Sequence, residues 1–248
     1  MCGRFGLITT PDATAEAFDL TAIDSFPPRY NIAPSQPILM VINASELTGG
    51  GEGRTAMLAR WGLIPAWVKD GRDFPLLFNA RSESAAEKPA FRGAMRHFRA
   101  LVPASGFFEW RRTGGRDTAQ PYWIRPRHGG LIALAGLMSP WQGADGTELD
   151  TGTILTTAAS GVVAKLHERS PVVIMPDDFE RWLDCRTLEP RHVADLLRPP
   201  PDDFFEAFPV SKAVSNARNL GADLIAPIGP ALLPDAPEAG PDEQMDLF

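Results

Sequence analysis

At 248 residues the chain is long enough to bury a sizeable core, as one domain or as two small ones, and its 44% hydrophobic and 22% charged composition fits a globular enzyme. The formal net charge of −7, taken alone, argues against a nucleic-acid partner, because phosphate binding draws on clustered Lys and Arg. Five of the 31 acids (Asp235, Glu238, Asp242, Glu243 and Asp246) fall in an end segment without a base, so the body carries 26 acids against 24 bases and nucleic acid stays open.

The first ten residues lack the basic start, apolar stretch and small-residue cleavage site of a secretory signal. No apolar run approaches the ~20 residues needed to span a bilayer. A cytoplasmic protein with no membrane partner is expected. In a reducing compartment Cys2 and Cys185 are not expected to form a disulfide, and they lack zinc-ligand spacing. Neither a metal nor another cofactor is expected.

In chain order, Thr10, Pro11 and Asp12 supply a cap, a first-turn proline and an acid at the positive end of a helix. Strands follow at Ile38 to Ile42, Ala56 to Trp61, Ala100 to Ala104, Tyr122 to Ile124, Leu131 to Leu137, Thr153 to Thr157 and Val172 to Met175. Several read as nearly continuous apolar runs, the pattern of strands covered on both faces, as in a closed or strongly curved sheet. A second helix is expected near Asp177 or Asp178, with Phe179, Trp182 and Leu183 on one face, and a third after Pro190 with Val193, Leu196 and Leu197. The fold class is α+β: one domain over residues 1–233, built on a barrel-like, mostly antiparallel sheet with flanking helices. Proline, glycine and acid dominate residues 234–248, so a disordered tail is expected there.

Cys2 carries the most chemical information. Removal of Met1, which a small second residue permits, would leave an α-amine beside a thiol. Their ordinary pKa values, about 7.7–8.0 and about 8.5, leave both partly reactive near neutrality. An aldehyde condenses with such an amine to an imine, and the thiol closes a five-membered thiazolidine. No internal cysteine can do this.

The segments beyond Cys2 give this chemistry a context. They are Met1-Cys2-Gly3-Arg4, Arg29-Tyr30-Asn31-Ile32-Ala33-Pro34, Arg60-Trp61-Gly62-Leu63-Ile64-Pro65, Asn79-Ala80-Arg81-Ser82-Glu83, Pro103-Ala104-Ser105-Gly106-Phe107-Phe108-Glu109-Trp110 and His167-Glu168-Arg169-Ser170-Pro171. With these runs in this order over roughly residues 1 to 226, the chain resembles the SRAP (SOS-response-associated peptidase) family of abasic-site-processing proteins. The family's usual residue after His-Glu-Arg is methionine, where this chain has Ser170.

The resemblance implies covalent capture of abasic sites in single-stranded DNA, with Cys2, Asn79, Glu109 and His167 as the catalytic set. Glu109, among aromatic residues, would have its pKa raised by desolvation and could shuttle protons. His167 would contact the opened sugar and assist proton transfer. Asn79 would orient the amine and the sugar through an amide that both donates and accepts; read from the residue alone, it is a turn residue. His97, His128 and His192 have no such context and read as structural. The expected DNA contacts are Arg4 and Arg81 on phosphates, then Arg29, Asn31 and Pro34 along the groove, with Trp67 and Trp110 stacking on bases. Arg169 reads as half of a structural ion pair.

Three other functions compete: an N-terminal-nucleophile amidohydrolase, whose cysteine attacks an amide with the α-amine as base, a cysteine peptidase, and a DNA-binding module without catalysis. A second partner is read from the end segment. Gln244-Met245-Asp246-Leu247-Phe248 resembles the pentapeptide that docks on the bacterial replication sliding clamp, with Gln244, Leu247 and Phe248 as anchors. This would bring the protein to replication forks in the nucleoid.

Overall fold

The computed structural model describes residues 2–47, 51–112 and 119–234; the expected tail and its clamp motif lie outside them. In chain order the strands are β1 (Phe5–Leu7), β2 (Arg29–Ile32), β3 (Pro37–Asn43), β4 (Arg54–Trp61), β5 (Asn79–Arg81), β6 (Arg99–Ala104), β7 (Gly106–Arg111), β8 (Gln120–Pro126), β9 (Ile132–Gln142), β10 (Glu148–Ala158), β11 (Arg169–Pro171), β12 (Val173–Ile174) and β13 (Phe205–Pro209). The helices are α1 (Pro11–Phe18), α2 (Ala44–Leu47), α3 (Ser82–Ala85), α4 (Arg92–His97), α5 (Gly161–Ala164) and α6 (Phe179–Leu183).

The expected barrel is present. Strands β3, β4, β10, β9 and β6 pair in that order, and β6 returns to β3 through Val41 and Leu101. Every joint is antiparallel except β4–β10. The continuous apolar runs follow from burial on both faces. Ile38, Met40, Ile42, Ala100, Val102, Leu134 and Met138 share one core with the second sheet. Their neighbours of opposite parity, Val41, Leu101, Ala133, Ala135 and Leu137, share another with Phe18 of α1, Met95 of α4 and Trp182 of α6. Met40 reaches so close to β10 that a Cβ on Gly152 would lie 2.4 Å from its sulfur, so a larger residue there would displace the Met40 side chain.

The second sheet, ordered β13-β8-β7-β1-β2, is antiparallel throughout and packs on the first of these cores. β1 lies against β7 with Phe5 opposite Phe107 and Gly6 opposite Gly106. Of its strands only β8 is expected from pattern, because β1 and β2 are short and β7 mixes glycine, aromatics, an acid and a base without alternation.

Helix α1 begins as read: Thr10 Oγ1 accepts from Ala13 N–H at 3.2 Å, with Pro11 in the first turn. The helix after Asp178 is α6, preceded by a 3-10 turn over Pro176–Asp178. The third expected helix is instead 3-10, over Pro190–Leu196. There Glu189 N–H donates to His192 Nδ1, which makes that histidine a cap.

Candidate active site

The antiparallel register of β1 on β7 puts the start of the chain beside Glu109. Phe108 N–H donates to Arg4 O at 2.9 Å, and the same alignment carried one residue back sets Gly3 opposite Glu109. Cys2 is 0% exposed and Glu109 3% exposed. Cys2 joins Phe5, Trp61, Phe107, Tyr122, Val162, Val163 and Leu166 in one apolar cluster, and its Sγ donates weakly to Arg4 O at 3.9 Å.

Burial, and then the charge of Glu109, push the Cys2 thiol far above its usual value. Burial therefore disfavours the thiolate of Cys2 relative to a free cysteine. The Glu109 carboxyl is likewise raised by burial, with the nearby charge of His167 opposing. Glu109 therefore lies within electrostatic reach of both Cys2 and His167.

His167 follows α5, whose Val162 and Val163 pack in the Cys2 cluster. Its backbone N–H donates to Val163 O at 2.9 Å, and its Nδ1 accepts from Arg169 N–H at 2.9 Å. An accepting Nδ1 leaves the neutral ring's proton on Nε2. Arg169 forms a bidentate ion pair with Glu83, at 2.5 and 2.8 Å, and donates to Thr156 O. The segments carrying Asn79 and His167 are tied together in this way. Ser170, in place of the usual methionine, is buried with its hydroxyl on Pro171 O.

Asn79 is a strand residue and not the turn residue its type suggests: it opens β5, which pairs in parallel with β10 at Ile154. Its Nδ2 donates to Ile154 O at 3.3 Å, while its Oδ1 is buried without a hydrogen-bond partner. A buried acceptor left open costs free energy unless something fills it, so this atom is suited to a ligand donor. Trp61 carries the link to Cys2. Its ring meets Phe5 edge-on at 5.2 Å, and its Nε1 donates to Phe78 O, the residue before Asn79, at 2.8 Å. Sequence reasoning assigned Trp61 no role; a tryptophan inside a matched run was the available signal.

The expected DNA residues divide. Arg81 is exposed and has no ion pair among the described residues, and Trp67 is 62% exposed, edge-on to Phe74. Pro34 is half-buried in the turn from β2 to β3. Trp110 is half-buried, its Nε1 on Ser215 Oγ at 3.1 Å. Arg29 spends its guanidinium on Pro37 O and Gln36 Oε1, which braces that turn. Arg4 donates to Asn31 Oδ1, Val214 O and Ser215 O, and Asn31, 2% exposed, donates to three carbonyls between 214 and 219. Asn31 is thus buried against backbone, while Arg4 and Arg29 are half-buried with their guanidinium groups hydrogen-bonded. Gln244, Leu247 and Phe248 lie outside the described residues. No three metal-ligating side chains are gathered among the described residues, nor is any helix there long and apolar enough to cross a membrane.

A closed mixed barrel, capped by an antiparallel sheet that buries Cys2 near Glu109, defines the class of protein. The SOS response associated peptidase (SRAP) model matches residues 1–217, and the chain belongs to that family. It is 36% identical over 228 residues to the abasic site processing protein YoqW of Bacillus subtilis, covering 91% of this chain and 99% of that one. To the abasic site processing protein YedK of Escherichia coli it is 32% identical over 237 residues, covering 92% and 100%. A solved structure from Bacteroides thetaiotaomicron superposes with a TM-score of 0.75 over 91% of this chain and 99% of that one, at 22% identity, and supports the fold.

Proposed function

We propose that the chain, once Met1 is removed, acts in DNA-damage response by crosslinking itself through Cys2 to abasic sites in single-stranded DNA. The observation that carries this reading is the burial of Cys2 against Glu109, within reach of His167, in a chain whose relatives are named abasic site processing proteins. The α-amine adds to the C1′ aldehyde of the opened sugar, and the carbinolamine loses water to give an imine. The thiol then adds across the imine: a C–S bond forms, the S–H proton ends on nitrogen, and a thiazolidine closes with no oxidant consumed.

Glu109, which burial favours as the neutral acid, supplies the proton that lets water leave, recovers it from the imine nitrogen, and relays the S–H proton to that nitrogen as the thiol adds. His167 Nε2–H is the donor to the sugar, and the open Oδ1 of Asn79 accepts from the amine or a sugar hydroxyl. The imine is also the species from which a 3′ phosphate can be eliminated, so some abasic-site lyase activity accompanies the crosslink. Removal of Met1, by this site acting as a peptidase or by an aminopeptidase, comes first. Arg81, Trp67 and Trp110 contact the strand, while Arg4, Arg29 and Asn31 shape the surface it meets. The end segment recruits the sliding clamp at replication forks.

The test is incubation of purified protein with a single-stranded oligonucleotide carrying one abasic site, followed by a denaturing gel. A heat-stable shifted band that is absent in Cys2→Ala is expected. Glutamine or peptide hydrolysis without that band would replace this reading with an amidohydrolase or peptidase.

A further inference from the structure

Residues 213–219 are held by more hydrogen bonds than a connecting loop needs. Arg4 Nη1 donates to Val214 O at 2.8 Å and Nη2 to Ser215 O at 3.2 Å, while Nη1 also reaches Asn31 Oδ1 at 2.9 Å. Asn31 Nδ2 is shared among Val214 O, Asn216 O and Asn219 O at 3.0 to 3.2 Å. Val214 is fully buried beside Phe108, and Ser215 Oγ accepts from Trp110. The segment is therefore fastened to Arg4, two residues from Cys2, and to Trp110, the neighbour of Glu109.

Within the segment the chain is stiffened again. Arg218 N–H donates to Asn216 Oδ1 at 3.1 Å, Asn219 N–H to Asn216 O at 3.1 Å, and Asn219 Nδ2 to Ala213 O at 2.8 Å. These bonds close a rigid turn, and Arg218 sits in it, exposed and with no ion pair among the described residues. Arg81 is likewise exposed without an ion pair among the described residues, whereas Arg72 and Arg191 are paired with Asp70 and Glu189. Residue 218 also lies just past the stretch that the family model matches.

We propose that residues 213–219 form one wall of the strand-binding groove and that Arg218 is a phosphate contact on it, with Arg4 and Asn31 fastening the wall. A guanidinium on a preorganised turn meets a phosphodiester with little ordering cost, and its planar fork suits phosphate oxygens. The near-neutral body makes each such unpaired cation count. In this arrangement Arg4 is a positioning residue, and the charge that touches the strand is Arg218.

This inference rests on the proposed function but is tested without damaged DNA. Binding of the full chain to an undamaged single-stranded oligonucleotide is measured between about 50 and 200 mM salt, in wild type, Arg218→Ala and Arg218→Lys. One lost phosphate contact should reduce the slope of log affinity against log salt by about 0.7. Arg218→Ala is expected to show that reduction with an unchanged melting temperature, and Arg218→Lys to keep the wild-type slope. A wild-type slope in Arg218→Ala would overturn the proposal, as would a fall in melting temperature in both variants. A wild-type protein that binds strands but forms no crosslink would sink the proposed function and leave this result standing.

Discussion

Cys2 and Glu109 are each placed where an ionised side chain is disfavoured, and for both the largest cause is loss of water. With ionisation of the thiol disfavoured, the crosslink is expected to depend on the free amine. A protein with its N-terminus blocked by retained Met1 or an uncleaved tag is expected to give no crosslink on a denaturing gel, although Cys2 is intact. Wild-type yield from the blocked protein would assign attack to the thiol. Glu109→Gln is expected to slow crosslinking by a factor of about 10², typical of a lost general acid or base, while affinity for undamaged strands stays the same. Stability should move the other way. Because the folded-state pKa of Glu109 is raised, the folded protein binds more protons than the unfolded chain between the ordinary carboxylate range and the raised value. Stability is then fully present below that window and falls as pH rises through it. Glu109→Gln should remove this fall and raise the melting temperature near neutral pH. An equal pH dependence in both proteins would show that Glu109 is not the group concerned.

At the scale of elements, the site depends on short strands that have no stability of their own. β5 is three residues long, held by parallel pairing to β10 and by the Glu83–Arg169 ion pair that follows it. β6 is fixed at its start by Arg99, 1% exposed, which donates to Met95 O, Trp182 O, Asp184 O and Leu188 O. One guanidinium thereby joins α4, α6 and the turn after α6 to the barrel. Arg99→Met fills much of the volume but strands several buried carbonyls, and a loss of about 3–5 kcal/mol is expected from urea unfolding. A loss below about 1 kcal/mol would mean that those carbonyls find other donors. The sequence carries little sign of such elements. Asn79, Glu109 and Asn31 sit in strands whose residue types favour turns or helices, and pairing partners 75 residues apart, as for Asn79 and Ile154, decide the matter.

For the whole molecule, a site sunk between a barrel and its covering sheet can accept a sugar only from a strand that is free to enter. Duplex DNA with an abasic site at its middle is expected to crosslink poorly beside the same strand alone, and equal yields would remove the single-strand requirement. The end segment makes a separate prediction. A peptide from Pro241 to Phe248 should bind a bacterial sliding clamp with micromolar affinity, and the version with Leu247 and Phe248 changed to alanine should not. Equal binding of the two peptides would discard the clamp as a partner.

The barrel strands were legible because burial on both faces writes a continuous apolar run, and burial is a local property of each residue. The family was legible from motifs in order, with Cys2, Asn79, Glu109 and His167 as the proposed catalytic set, and the start of α1 was legible because a cap is a contact within a few residues. The tertiary structure alone decided that the Cys2 thiol is raised above its ordinary range, since its pKa depends on the burial and charge around it and not on its neighbours in the chain. The same holds for the partners of Arg4, expected on phosphate, and Asn31, expected along the groove, whose hydrogen bonds reach carbonyls about 180 to 210 residues away. A side chain's type limits the partners it can take, and only the folded chain determines which of them is within reach.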